Sequence, residues 1–208
     1  MAALASAGIA GCTRPDYAGT VRLTEGNRVV ELRIPVAYFT GYDPKPDMPF
    51  VWVYFSYPDL RPEAFPGDTG NVIALLIENI GMQRTRAEFA FGRSGLQVEA
   101  QDLPLNAQAD MASLRRLQGP VHKGEVSEEV FALTAQGHII RYSTTDGMNA
   151  SADRRYSDAI ELCYVLHPGL LAHKASVDQA VTALVDGFLD KNARPFHARM
   201  AVRTFTSA

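Results

Sequence analysis

Alternation of apolar and polar residues predicts two β-hairpins. Residues 21–34, VRLTEGNRVVELRI, carry apolar side chains at alternate positions on both sides of the turn-forming stretch TEGN. Residues 130–145, VFALTAQGHIIRYSTT, repeat the pattern around the turn AQGH. A period of two places the apolar side chains of a strand on one face, which a core can bury. We therefore expect a strand on each side of both turns, with Pro35 ending the first hairpin.

Compact apolar runs predict further strands. The run at 50–57, FVWVYFSY, has aromatic and β-branched residues at both odd and even positions, which is typical of a central strand covered on both faces. Turn residues bound the run at 72–80 and favour a strand there over a helix. The run at 159–166 has one apolar face, formed by Ile160, Leu162, Tyr164 and Leu166. Residues 96–101 alternate like a short strand, whereas the helix formers in 106–119 predict one or two helical turns.

A stripe of apolar residues predicts one amphipathic helix over residues 177–191. The stripe follows the three- and four-residue spacing of an α-helix and consists of Val177, Ala180, Val181, Leu184, Val185, Phe188 and Leu189. Ser176 is the expected N-cap of this helix. Asp178 is expected in the first turn, where a carboxylate interacts favourably with the helix dipole.

Strands outnumber helices in this pattern, and they define the expected fold class. We expect an α+β fold, with a mainly antiparallel sheet and the late amphipathic helix packed on it. The chain has 208 residues, of which 47% are hydrophobic and 21% are charged, enough for one substantial core. We therefore expect a leader at residues 1–12 and a single α+β domain at residues 13–208.

The start of the chain differs in character from the rest. Residues 1–11, MAALASAGIAG, are small and apolar, include no charged side chain, and are followed by Cys12. The stretch IAGC resembles a bacterial lipobox: an aliphatic residue, two small residues, and a cysteine whose thiol carries a lipid. The leader lacks the basic residues with which a secretion signal begins. An Ala/Gly-rich terminus with an incidental cysteine is the alternative interpretation.

Charge and motif content argue against several functional classes. The net charge is −3 and the basic residues are scattered, so we expect no nucleic-acid partner. No apolar run reaches the roughly 18 residues that span a bilayer, which leaves a lipid on Cys12 as the expected membrane contact. The sequence has no phosphate-binding glycine loop, and Ser94 in GRSGL lacks the spacing of a hydrolase nucleophile. We expect no cofactor and no metal; the group weighed against this expectation is His167, His173 and Cys163.

Two proline-rich loops, at residues 41–48 and 58–69, lie next to the candidate functional residues. These residues are aromatic or charged, and they are Tyr42, Asp43, Tyr57, Asp59 and Arg61. Aromatic residues and arginine carry much of the binding energy at protein interfaces, and long loops in a small domain are often contact surfaces. The sequence therefore predicts a partner-binding site formed by these five residues.

Two other interpretations of the same loops remain open. The aromatic residues Tyr38, Phe39 and Phe65 lie beside or within the loops, and Phe39 and Phe65 can serve to pin the loops to the core instead of binding a partner. Carboxylates in the loops, held a defined distance apart, would suit a hydrolase. An envelope hydrolase that uses these carboxylates is therefore the alternative to a non-catalytic binding protein.

The order of these features resembles a known group of proteins. A lipobox-like leader, a strand ending in RIPVAY, a loop with YPDLRP and a late helix ending in LVDGF are similar to small proteobacterial envelope lipoproteins. Some proteins of that design are periplasmic immunity proteins that neutralise type VI secretion effectors. The resemblance implies a membrane-anchored periplasmic protein with a lipid on Cys12 and a toxic effector as its protein partner.

Overall fold

The computed structural model of the chain describes residues 20–39, 45, 47–63, 70–95, 111–118, 127–134, 137–145 and 149–189. Nine strands and two α-helices lie within these ranges. In chain order they are β1 (Val21–Glu25), β2 (Arg28–Leu32), β3 (Phe50–Ser56), β4 (Val72–Asn79), α1 (Arg86–Ser94), β5 (Met111–Gln118), β6 (Ser127–Thr134), β7 (Ile139–Thr145), β8 (Ala150–Arg155), β9 (Ile160–Leu166) and α2 (Lys174–Leu189). Short 3-10 helices at Val36–Tyr38 and Pro168–His173 precede β3 and α2.

Seven strands form one antiparallel sheet in the order β3-β4-β9-β8-β7-β6-β5, and β1 pairs with β2 in a separate hairpin. Directly paired residues point to the same face of a sheet. One face, here called the apolar face, carries a ladder of paired residues across five strands: Val53, Leu75, Tyr164, Ala152 and Tyr142. The α+β class and the mainly antiparallel sheet are therefore confirmed, and so are both predicted hairpins.

α2 packs on the apolar face, as its sequence stripe predicts. The five stripe residues that are fully packed, each at most 4% exposed, are Val177, Val181, Leu184, Val185 and Phe188. The β1–β2 hairpin completes this core with Leu23 and Leu32, both 0% exposed. A backbone hydrogen bond from Arg33 N–H to the Phe188 carbonyl, 2.8 Å long, joins the hairpin to the end of α2. No described helix combines the length and the apolar character that crossing a membrane requires.

α2 begins earlier than the sequence predicts. The helix starts at Lys174, directly after the 3-10 helix, so Ser176 lies inside the first turn and is not its N-cap. For the same reason Asp178 lies in the second turn, and its predicted place in the first turn is wrong; it is only 5% exposed and points at the sheet. There it pairs with Arg154 of β8 and accepts a 2.9 Å hydrogen bond from the Tyr164 hydroxyl. The predicted end of the helix at residue 191 lies outside the described residues.

β3 is an edge strand of the sheet, and the prediction of a central strand is wrong. Its odd-numbered residues are buried on the apolar face, while Phe50, Trp52 and Tyr54 are half-buried on the other. The chain itself covers part of the outer edge, since residues 61–63 return alongside the strand and pair with it. This returning segment satisfies part of the backbone hydrogen bonding that a neighbouring strand would otherwise provide.

Residues 111–118 form a strand, and the helical turns expected within 106–119 are not found there. β5 pairs with β6, with Met111 opposite Thr134 and Gln118 opposite Glu128. Ladder hydrogen bonds along a paired strand outweigh the small helix preference of alanine, leucine and arginine. The short strand expected at 96–101 lies outside the described residues.

The second face of the sheet, here called the charged face, is covered in part by α1. The paired positions on this face include Glu78, Glu161, Asp153 and Arg155, with Arg141 on β7. The Phe91 ring of α1 meets the Phe131 ring of β6 edge-on, with centroids 5.5 Å apart. Neither α1 nor β8 is predicted from the apolar pattern, because each has a weak apolar stripe: β8 buries only Ala150 and Ala152 in the apolar core, and α1 buries only Ala87 and Phe91.

Candidate binding surface

The segment after β3 forms a fixed turn that positions three of the predicted binding residues. The Leu60 N–H donates to the Ser56 carbonyl over 2.8 Å, and the Ser56 N–H donates to the Arg61 carbonyl over 2.9 Å. The Tyr57 N–H donates to the Asn71 carbonyl, and the Asn71 side-chain amide donates back to the Tyr57 carbonyl. The peptide bond between Tyr57 and Pro58 is cis, and Leu60 has a φ of 56°. Residues 56–61, here called the β3 turn, are therefore tied to the body of the protein on both sides.

Tyr38 holds the β3 turn from the core side. Its hydroxyl donates a 2.7 Å hydrogen bond to the Leu60 carbonyl, and its ring meets the Phe188 ring of α2 edge-on at 5.4 Å. Burial raises the pKa of Tyr38 to about 12, so the hydroxyl stays protonated as a donor. Tyr38 and Phe39 are 5% and 6% exposed and belong to the core. Phe39 therefore pins its loop to the core, as one interpretation of the sequence expected, and it is not free to bind a partner. Phe65 lies outside the described residues.

The β3 turn displays two of the predicted binding residues to solvent. The side chains of Asp59 and Arg61 are 55% and 67% exposed and form a 3.7 Å ion pair. Tyr57 is half-buried against the core, so only part of its ring is accessible. Tyr42, Asp43 and Cys12 lie outside the described residues. The structure thus brings together Tyr57, Asp59 and Arg61 at one end of β3.

A second constellation, which the sequence analysis did not single out, lies on the charged face around Arg86. The Arg86 guanidinium contacts Glu78 at 2.7 Å and Glu161 at 2.9 Å, and donates to the Cys163 sulfur over 2.8 Å. The Arg86 backbone N–H also donates to Glu161, over 2.6 Å. Glu161 therefore accepts from both the backbone and the side chain of the first residue of α1, and it fixes the helix to β9.

Two further arginines extend this network across the sheet. Arg155 of β8 forms a two-pronged ion pair with Glu88 of α1, at 2.7 and 2.9 Å. Arg141 of β7 contacts Glu129 at 2.5 Å and Asp153 at 3.3 Å. Arginines therefore neutralise carboxylates from one side of α1 to the middle strands of the sheet.

The surroundings of Glu161 and Cys163 determine what chemistry these groups can perform. Burial raises the pKa of Glu161 from 4.5 to about 7, although hydrogen bonds from Arg86 act in the opposite direction. Burial, together with the negative charges of Asp153 and Glu161, raises the pKa of the Cys163 thiol far above its usual range. Since the thiolate is the nucleophilic form of cysteine, Cys163 has the character of an inert, half-buried thiol.

Asp153, Glu161 and Cys163 also come together closely enough to be compared with a metal site. Their ligand atoms all lie within 4.8 Å of one another. Arg86 and Arg141 already contact members of this group and supply the positive charge that a cation would bring. In the part of the chain that the structure describes, His167 and His173 do not join Cys163 in such a group. His167 instead accepts a 3.1 Å hydrogen bond from the Gly169 N–H in the turn after β9.

The sequence contains two patterns that indicate parts of the charged face. Glu161 and Cys163 alternate with apolar residues in IELCYVL, which places them together on the side of β9 that is not the core side. Thr85 and Glu88 have the spacing of a capping box, and both of its hydrogen bonds are formed at the start of α1. The cross-strand partners of these residues depend on the strand order, which has no signal in a single sequence.

Comparisons with known proteins give distant structural neighbours only. No protein-family model matches the chain, and no curated protein is significantly similar to it. An immunity protein of the Stenotrophomonas maltophilia type IV secretion system aligns with 82% of this chain and 93% of its own length, at 13% identity and a TM-score of 0.45. A Pseudomonas aeruginosa protein of unknown function aligns with 81% of this chain and 97% of its own, at 16% identity and a TM-score of 0.25.

Proposed function

We propose that this chain is a non-catalytic binding protein that neutralises a toxic protein by occluding it. The observation that carries the proposal is the β3 turn, in which a rigid backbone presents the exposed pair Asp59 and Arg61 beside the partly accessible ring of Tyr57. A surface that is already ordered loses little conformational entropy when it binds. Arginine and tyrosine on such a surface are residues that contribute strongly to protein interfaces.

The electrostatics of the charged face support binding over turnover. Its carboxylates are paired with arginines, and the Cys163 thiol is held in its protonated form. The protonated Cys163 thiol is not in the form that attacks a substrate, and the ion pairs hold the carboxylates in place on the sheet.

We also propose where the protein acts and against what. The lipobox-like stretch before Cys12 supports a lipoprotein held at the periplasmic side of the membrane, where an effector delivered by a type VI secretion system would arrive. A diacylglycerol with an added acyl chain anchors a protein firmly, since one chain alone binds only marginally. Expressed with its native upstream region, the protein should partition into the detergent phase, and Cys12→Ser should move it to the aqueous phase. Identical aqueous partitioning of both proteins would contradict the anchor.

The binding function is tested with the product of the neighbouring gene. Co-expression should rescue the growth of cells that produce this product in the periplasm, and the two purified proteins should co-elute. Asp59→Ala combined with Arg61→Ala should weaken the complex at least about tenfold, the equivalent of about 1.4 kcal/mol. Thermal unfolding of this variant should match the wild type, because both side chains are exposed.

A matched control is available on the β1–β2 hairpin. Arg22 and Glu31 form another exposed ion pair, with a 4.0 Å contact and side chains 52% and 51% exposed. Replacing both with alanine should leave the complex intact. Equal affinity of the wild type and the β3-turn variant would move the interface elsewhere. A hydrolase activity that disappears in Asp59→Asn or Asp43→Asn would favour the envelope hydrolase and remove the proposal.

A further inference from the structure

The outer side of α1, together with the turn before it, exposes large apolar side chains. Met82 is 77% exposed and Phe89 is 56% exposed, and these are the highest values for large hydrophobic residues among the described part of the chain. The other two exposed ones, Val36 at 49% and Val29 at 44%, lie in separate segments. Exposed apolar residues that occur close together mark interaction sites more often than scattered ones do.

Two arginines accompany these apolar residues. Arg84 and Arg93 are both exposed, and neither forms an ion pair within the described residues. The Arg93 guanidinium lies over the Phe89 ring, 5.7 Å from its centroid, so the two side chains form one composite surface. Arg86, the first residue of the helix, differs from these two arginines because Glu78 and Glu161 neutralise its charge. Phe89 and Arg93 on the helix, and Met82 and Arg84 in the turn before it, are here together called the α1 face; they are exposed apolar and positively charged side chains on a chain of net charge −3.

The α1 face is rigidly mounted. Thr85 caps the helix and exchanges hydrogen bonds with Glu88, at 3.1 and 3.0 Å. Glu88 is in turn clamped by Arg155 of β8. The turn that carries Met82 is tied to the sheet by the Ile80 N–H, which donates to the Ala159 carbonyl over 2.8 Å. Because these contacts fix the backbone, only side-chain rotamers remain to be ordered when a partner docks.

We infer that the α1 face docks an acidic segment with apolar residues on a protein partner. Charge complementarity selects the partner: Arg84 and Arg93, which have no ion pair among the described residues, attract Asp and Glu, while Met82 and Phe89 need apolar side chains to cover them. A membrane fits this surface less well, because two arginines contribute only about 1 kcal/mol each at an anionic bilayer and two side chains insert little apolar area. The inference rests on the proposed function in taking the partner to be a protein, and it adds a second contact point far along the chain from the β3 turn.

The test uses a displayed library of random peptides of about 12 residues, selected on the immobilised full chain. Peptides that bind the Met82→Ser/Phe89→Ser variant are removed by counter-selection. We expect enriched sequences that combine Asp or Glu with aliphatic or aromatic residues. A synthetic peptide of the enriched sequence should bind the wild type at least about tenfold more tightly than either Met82→Ser/Phe89→Ser or Arg84→Glu/Arg93→Glu. Val36→Ser, an equivalent exposed position, should bind like the wild type.

Several outcomes would overturn the inference. Enrichment of neutral or basic peptides, no enrichment at all, or unchanged binding by the two double variants would each do so. Sedimentation with vesicles of equal amounts of phosphatidylethanolamine and phosphatidylglycerol, lost in the same variants, would assign the face to a membrane instead. Unfolding curves that match the wild type are required of every variant, and all five substituted positions are exposed enough to allow them.

The outcome for the α1 face is separate from the outcome for the proposed function. The peptide selection does not involve the product of the neighbouring gene. Peptide binding at the α1 face without any complex with that product would refute the immunity role and leave the docking face standing. A complex that protects cells and binds Met82→Ser/Phe89→Ser as tightly as the wild type, together with no peptide binding at the α1 face, would support the immunity role and refute the docking face.

Discussion

The buried ion pair between Arg154 and Asp178 provides the most demanding test of the fold. Arg154 on β8 and Asp178 on α2 are 6% and 5% exposed, and their side chains are in direct contact. Tyr164, 1% exposed, donates its hydroxyl to the same carboxylate over 2.9 Å, and Arg154 also contacts the Thr182 hydroxyl at 3.2 Å. One carboxylate thus satisfies two donors between the helix and the sheet.

Asp178→Ala should destabilise the protein severely. The substitution leaves a buried guanidinium without a counter-charge and the Tyr164 hydroxyl without its 2.9 Å acceptor. Breaking one side of a buried pair costs about 3–5 kcal/mol, so we expect a loss of about 4 kcal/mol in the free energy of unfolding. For a domain of this size, that corresponds to a fall in melting temperature of about 8–16 °C.

Urea unfolding, followed through the fluorescence of the only tryptophan, Trp52, measures this loss. The combined variant Arg154→Met/Asp178→Leu removes both charges and should recover the part of the stability that the unpaired guanidinium costs, because apolar residues of similar size replace buried ion pairs well. It should stay below the wild type, since the Tyr164 hydroxyl still lacks its acceptor. Asp186→Ala on the same helix is the matched control. Asp186 is exposed and accepts only the Tyr156 hydroxyl among the described contacts, so its loss should cost about 1 kcal/mol or less. A loss below about 1 kcal/mol for Asp178→Ala would refute the buried position of the pair.

Three further predictions follow from the same structure. Since burial raises the pKa of Glu161 from 4.5 to about 7, the folded state holds a proton that the unfolded chain releases. The free energy of unfolding should therefore fall as the pH rises from 4.5 to about 7. Urea titrations at a series of pH values measure this slope, and Glu161→Gln should remove the part that Glu161 contributes. In a Cys12→Ser background, the protonated, half-buried Cys163 thiol should react with a disulfide reagent far more slowly than a free thiol, and urea should raise the rate to that of a free thiol. Fast reaction without urea would contradict the raised pKa of this thiol. Tyr38→Phe should lower the free energy of unfolding by about 1 kcal/mol, because it removes the 2.7 Å hydrogen bond to the β3 turn. It should also speed amide hydrogen exchange at Leu60, measured by NMR. Unchanged exchange there would mean that the backbone hydrogen bonds alone hold the turn.

Elements with a strong apolar period were predictable from the sequence. The face of β9 and the stripe of α2 are buried as the pattern requires, because a period of 2.0 or 3.6 residues directly expresses one-sided burial. The prediction fails where a different interaction decides the structure. β5 is a strand because it pairs with β6, in spite of its helix formers. Residues 61–63 pair with the edge of β3, and no periodicity in the sequence predicts that contact.

The candidate site was predictable only in part, for a similar reason. Loop composition singled out Asp59 and Arg61, and both are exposed, but the same composition included Tyr38 and Phe39, which are core residues. The ionic network around Arg86 needs α1 to meet β9 and β4, whose contacts are separated by long stretches of sequence. Charged residues that satisfy one another on a sheet cannot be distinguished by composition from charged residues in water.

The attachment of α1 has a consequence for how this protein can change over generations. Arg86, Glu88 and Phe91 of the helix make contacts that hold it to the sheet. Phe89 on the outer side of the helix and Met82 in the turn before it lie largely in solvent, so substitutions there cost the fold on the order of 0.5 kcal/mol or less. Mutations can therefore accumulate on the outer side without compensating changes in the core. A lineage that faces a succession of different partners can alter its recognition residues one at a time while every intermediate sequence still folds.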